Sequence, residues 1–211
     1  SIRECWRHAT CMHSGEGPET WKNELLWREF YRHIVHHAPH VSMKKAFRQE
    51  LDNIPWRHNQ NEFKQWCEGN TGIPIIDAAM RQLLETGWMH NRLRMITAMF
   101  LSKHLLIDWR WGEKWFMTHL IDGDFSANNG GWQWSASTGT DAAPYFRIFN
   151  PVTQSRRFDE SGNFIRRFVK ELSSLESKSV HDPGLLKPES YPVPLVDLKF
   201  GRERALAAFK N

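Results

Sequence analysis

Between Asp122 and Pro151 the chain reads DGDFSANNGGWQWSASTGTDAAPYFRIFNP, and no apolar period survives in it. Asp, Asn, Gly, Ser and Thr in this density favour turns, because their side chains bond their own backbone or tolerate unusual dihedrals. A loop of that length inside a compact domain is uncommon and usually functional. Trp132, Trp134 and the apolar tail Tyr145, Phe146, Ile148 and Phe149 argue against disorder. The run therefore reads as an ordered loop. It either caps a helical core or brings backbone and amides to a flat, polar, aromatic ligand.

The flanking sequence is helical in period. A loop at Gly15, Gly17 and Pro18 precedes a helix starting near Glu19-Thr20, with Trp21, Leu25, Phe30 and Ile34 at helical spacing. Glu24, Trp27, Arg28 and Tyr31 share a neighbouring face. They form either an amphipathic surface with a Glu24–Arg28 pair or one wall of a pocket. His33, His36, His37 and His40 have metal-like spacing but no acidic partner in the run, so they read as surface histidines. Gly72-Ile73-Pro74 starts a helix that Gly87 stops, with Ile76, Ala79, Met80, Leu83 and Leu84 as its apolar stripe. The next helix buries Leu93, Ile96, Phe100 and Leu101, with Asn91 as a candidate cap. Leu105 to Gly112 reads as a helix end and turn, and Glu113 to Ile121 as a helix. Beyond Pro151, Arg156, Arg157, Arg166, Arg167 and Lys170 interleave with Phe158, Phe164 and Phe168. That strip either meets phosphates or is a solvated face. We divide the chain into a helical unit, 1–172, and a Pro/Ser-rich extended tail with a short closing helix from Arg202 to Phe209, 173–211.

The 211 residues suffice for one substantial core. A net charge of +4 permits nucleic-acid binding without requiring it. Cys5, Cys11 and Cys67 lack CxxC spacing and read as reduced thiols, with no disulfide framework and no metal site. No apolar run reaches membrane-spanning length. Eleven tryptophans are an excess that core filling explains only in part.

Four segments, taken together, resemble the photolyase/cryptochrome family, most closely bacterial class I cyclobutane pyrimidine dimer photolyases. They are Asn23 to Tyr31, TGIPIIDAAMRQL, TGWMHNRLRM and the run from Asp122 to Pro151. The resemblance implies an all-α, multi-helix FAD-binding domain around a U-shaped flavin cavity. It implies that this chain is the C-terminal half of a longer protein, whose α/β antenna domain and flavin phosphate-binding loop lie outside it. A second antenna chromophore, folate or deazaflavin, is expected only in the full-length protein. The implied partner is DNA containing pyrimidine dimers, met by a monomer in the bacterial cytoplasm and nucleoid.

The resemblance also assigns residues. Trp21, Glu24, Trp27, Arg28, Tyr31, Asn91, Arg94, Asp122, Gly123, Asp124 and Asn128 would hold the cofactor, with Asn128 facing flavin N5 and Arg94 paired to Asp122. Glu24, Trp27, Asn91, Arg92, Met95, Trp134, Arg147 and Thr153 would meet the DNA or the flipped lesion. Glu24 and Asn91 would hydrogen-bond the pyrimidine edge, and Trp132, Trp109 and Trp56 would relay electrons to oxidised flavin. The implied activity is light-driven dimer repair, with a cryptochrome-type photoreceptor as the alternative. Asparagine at 128 favours repair, and the histidine pair of a (6-4) photolyase is not evident around Asn91.

Overall fold

The computed structural model describes residues 1–12, 15–141 and 146–210. Among these it is all-helical, with ten α-helices and no sheet; a lone bridge pairs Arg57 with Ile107. The helices are α1 (Ile2–Met12), α2 (Glu16–His37), α3 (Gln60–Glu68), α4 (Pro74–Thr86), α5 (Asn91–Met99), α6 (Trp109–His119), α7 (Phe125–Ala136), α8 (Pro151–Phe158), α9 (Asn163–Phe168) and α10 (Leu198–Ala208).

Helix α4 forms as its punctuation dictates. Pro74 opens it, where a missing N–H costs nothing, and Gly87 closes it in the left-handed region at φ 69°. Ile76, Ala79, Met80 and Leu83 of its stripe join a core built on Trp66, Ile96, Phe100, Trp109, Phe116 and Trp132, whereas Leu84, expected in that stripe, is exposed. Trp66 lies flat on Phe116 and edge-on to Trp132, both at 6.0 Å, and donates its indole N–H to Thr97 O at 3.2 Å.

Several boundaries depart from the sequence reading, each for a local reason. Gly17 and Pro18 lie inside the first turn of α2, because a proline there displaces no intrahelical hydrogen bond. Gly112 belongs to α6, which starts at Trp109 under an Asp108 cap rather than at Glu113. His90, not Asn91, caps α5, its Nδ1 accepting from Arg92 N at 3.1 Å. Helix α10 begins at Leu198 under an Asp197 cap.

The largest correction concerns the run that starts at Asp122. Most of its first half is helix, not loop. Asp124 Oδ1 accepts from Ala127 N at 3.1 Å and caps α7, and Ser137 in the left-handed region ends it. Gly130 and Gly131 lower helix propensity by about 1 kcal/mol each. Tertiary packing overrides that cost: a Cβ at Gly130 would stand 2.0 Å from the Tyr31 ring, so the glycine lets α2 and α7 close together. Residues 142–145, with Pro144 and Tyr145, lie outside the described residues.

Beyond α5 the helix widens to π geometry over Phe100–His104. This turns Lys103 fully inward, where its ammonium donates to Ala136 O at 2.9 Å. The rings of Phe146 and Phe209 lie 3.8 and 3.7 Å from that nitrogen. Burial holds the lysine's pKa well below its ordinary value. The segment after Leu172 is rich in turns and is fixed to the rest of the fold at Tyr191. The buried Tyr191 hydroxyl donates to Asp77 Oδ2. The same fully buried carboxylate accepts from Thr71 N and Oγ1 at 2.6 and 2.7 Å and from Gly72 N at 3.0 Å. Burial nonetheless raises its pKa.

Candidate functional site

Helix α7 is the shared element, packing against α2, α5 and α6. Asp122, just before it, receives Arg94 Nη2 in a fork at 2.8 and 3.0 Å, and Arg94 Nε donates to Met89 O at 2.7 Å. The guanidinium is thus fixed at both edges, and the pair inferred from resemblance is formed. The exposed Gly123 separates it from Asp124, whose other oxygen meets Arg32 of α2 at 3.4 Å.

One turn into α7, Asn128 is 9% exposed. Its Nδ2 donates to Glu113 O at 3.0 Å. A backbone carbonyl can only accept, so this contact fixes which end of the amide is which. Asn128 Oδ1 is left without a partner among the described residues. Behind it, Asn129 Nδ2 donates to Glu113 Oε1 at 2.7 Å and Gln133 Nε2 to Asn129 Oδ1 at 2.9 Å; Gln133 Oε1 accepts from Phe47 N at 2.7 Å. Burial raises the pKa of Glu113, against the opposing hydrogen bond from Asn129. The reading of the sequence missed Glu113, Asn129 and Gln133. Two amides one helical turn apart, at 129 and 133, were the available signal.

On α2, Trp21 and Trp27 are 53% and 54% exposed, and Glu24 and Arg28 are exposed too. The Glu24–Arg28 ion pair that the spacing allows is not formed among the described residues. Tyr31 is half-buried with its ring 6.2 Å from Trp27; burial raises its pKa, helped by the charges of Asp141 and Glu24. A shallow open hollow of about 390 Å³ lies on the outer side of α2, lined by Asn23, Leu26, Trp27 and Phe30. Trp27 alone of the expected site residues lines it.

At the other end of α7, Trp134 carries the Arg147 guanidinium 4.8 Å from its ring and lies edge-on to Phe149 at 6.5 Å. Arg92 stands 6.0 Å from Phe149, and Met95 sits one turn further along α5, half-buried. Asn91 is exposed at the start of α5, and Thr153, also exposed, lies in the first turn of α8.

The three expected relay tryptophans differ in setting. Trp109 and Trp132 are buried, while Trp56 is half-buried against Phe209 at 5.9 Å. Their indole N–H groups have no partner among the described residues. The direct ring neighbours of Trp132 are Trp66 and Phe116 rather than Trp109. A Cβ at Gly112 would lie 2.1 Å from Trp132, so that glycine makes room for the indole. His33 and His37 stack at 6.1 Å, and no three potential ligands gather for a metal among the described residues. Among the described residues no helix is long and apolar enough to cross a membrane.

A family model described as the FAD binding domain of DNA photolyase matches residues 21–211. The deoxyribodipyrimidine photo-lyase of Vibrio cholerae is 52% identical over 100% of this chain and 46% of its own length. That of Escherichia coli is 54% identical over 93% of this chain and 43% of its own. A solved archaeal photolyase of Sulfolobus tokodaii, described with two FAD molecules, superposes with a TM-score of 0.91 at 41% identity, covering 100% of this chain and 47% of that one. The chain thus spans about half the length of the relatives it matches.

Proposed function

Because the chain belongs to the DNA photolyase family, through that family's FAD-binding domain, we propose that it forms the catalytic half of a light-driven enzyme that repairs cyclobutane pyrimidine dimers in DNA. The observation that carries the reading is the Asn128 amide: anchored through Nδ2, 9% exposed, and offering a carbonyl oxygen with no partner among the described residues, on the helix that the Arg94–Asp122 fork immediately precedes. The residues fit a reduced flavin. An acceptor at Asn128 Oδ1 would suit the N–H that N5 gains on reduction and lacks when oxidised, and the guanidinium–carboxylate fork would supply a fixed donor and a balancing charge. Trp21, Glu24, Trp27, Arg28, Tyr31, Gly123 and Asp124 complete the set that would hold it. When bound and reduced, FAD supplies the photoexcited one-electron donor that no side chain offers.

The chain's own residues do the rest. Trp27 and Trp134 clasp the extruded dimer, and each stacked base contributes about 1–3 kcal/mol. Glu24 and Asn91 hydrogen-bond the pyrimidine edge and steady the charge that develops there. Arg92, Met95, Arg147 and Thr153, with the arginines of α8, meet the surrounding DNA. Trp132, Trp109 and Trp56 carry electrons inward when the cofactor must be reduced. The protein works as a monomer on nucleoid DNA in the bacterial cytoplasm. Illuminating the full-length, reduced protein with dimer-containing oligonucleotide tests the reading. Loss of dimer only in light, abolished by Glu24→Ala together with Asn91→Ala, is the expected result. Wild-type protein that leaves dimers intact under illumination overturns it.

A further inference from the structure

Helix α8 ends on Phe158, which is 49% exposed. An aromatic ring half in water at a helix terminus adds little to the core, yet it is not alone. The Arg92 guanidinium lies 4.7 Å from its centroid and that of Arg157 5.2 Å. Neither arginine has an ion-pair partner among the described residues. The adjacent carboxylate, Asp159, spends both oxygens on the backbone of α9, accepting from Phe164 N and Ile165 N at 3.0 Å each. Two uncompensated cations from different helices are therefore held against one ring. Followed inward, the contacts continue from Arg92 to Phe149, to Trp134, to Arg147. Cations and aromatic rings form an unbroken ladder from the lesion-facing indole to the outer end of α8.

We propose that Phe158 is a positioning residue for DNA binding: its ring holds Arg92 and Arg157 at a fixed spacing for backbone phosphates of the strand leaving the lesion site. The proposal rests on the photolyase reading above. A guanidinium lying on a ring keeps its N–H edges free for phosphate oxygens. Fixing two such groups before binding removes side-chain freedom that would otherwise be lost in the complex. Phosphate contacts set register and overall affinity but carry no sequence or lesion information.

The test is a mutant cycle on the full-length, flavin-loaded protein, titrated with undamaged and with dimer-containing duplex across a salt series. Phe158→Leu keeps apolar bulk but removes the π face. It weakens binding about two- to fivefold, the worth of an exposed cation–π contact. The slope of log affinity against log salt is retained, since both arginines still reach phosphates. Phe158→Tyr restores the affinity. In an Arg92→Gln/Arg157→Gln background, whose slope falls by about 0.9 for each phosphate no longer neutralised, Phe158→Leu has no further effect. Wild-type affinity in Phe158→Leu, or the same weakening in both backgrounds, overturns the proposal. Wild-type protein that binds both duplexes equally would remove the lesion site instead, and the Phe158 cycle would still be read on undamaged DNA.

Discussion

Gly112→Ala sets two physical effects against each other. In an α-helix alanine is favoured over glycine by about 0.8–1 kcal/mol, and Gly112 has ordinary helical geometry inside α6, so propensity alone stabilises the variant. Packing opposes it. The new Cβ would lie 2.1 Å from Trp132 Cη2, 2.6 Å from Cζ3 and 2.7 Å from Cζ2. The ring would have to retreat by about 1.4 Å to regain the ~3.5 Å at which carbon atoms attract. An indole cannot bend, and Trp132 is 2% exposed between Trp66 and Phe116. Overpacking against so rigid a wall sits near the upper end of the usual 1–3 kcal/mol. The net effect is a loss of about 1–2 kcal/mol, or about 2–8 °C in melting temperature for a chain of this size. The displaced ring should also slow photoreduction of oxidised flavin in the full-length protein, which transient absorption resolves. A melting temperature that rises, with photoreduction at the wild-type rate, would refute both the packing argument and the placing of Trp132 on the electron route.

Tyr191→Phe removes one of the donors to the buried Asp77 carboxylate and should cost about 1.5–3 kcal/mol, seen as a lower urea midpoint; an unchanged midpoint would show that the anchor carries no energy. Glu113→Gln tests burial of charge behind Asn128. Because burial raises the folded-state pKa of Glu113, the native state binds the proton more tightly, and this group's contribution is present below the unfolded carboxyl value and lost as pH rises through the folded one. The glutamine variant still accepts from Asn129 but lacks that loss, so its stability relative to wild type should climb as pH rises from the unfolded carboxyl value through the raised folded one. A difference independent of pH would remove Glu113 as a titrating group.

How much was legible in the chain varies with where the information resides. Helix α4 could be read outright, since Pro74, the apolar stripe and Gly87 are local signals. Helix α7 could not, because what makes it helical is not local. Its amides bond to Glu113, Val41 and Phe47 on other elements, and Gly130 is required by a tyrosine almost a hundred positions away. The Arg94–Asp122 fork followed from resemblance and stands in the structure. The polar network behind Asn128 did not, because Glu113 is unremarkable until α6 and α7 are packed together. Asp77 and Tyr191 illustrate the same limit, since no sequence period links a carboxylate in α4 to a phenol in a Pro-rich segment.

The caged ammonium of Lys103 has a consequence for the end of the chain. Its lid includes Phe209, one turn of backbone or less past α10, and its floor is the final carbonyl of α7. Clipping or unravelling α10 would let water reach a group that has been kept dry. The lysine would be hydrated, swing outward, and abandon Ala136. The exit of α7 would then fray next to Trp134. Wear at the last helix would in this way reach the surface proposed to meet DNA as a loosened grip, with no residue of that surface altered.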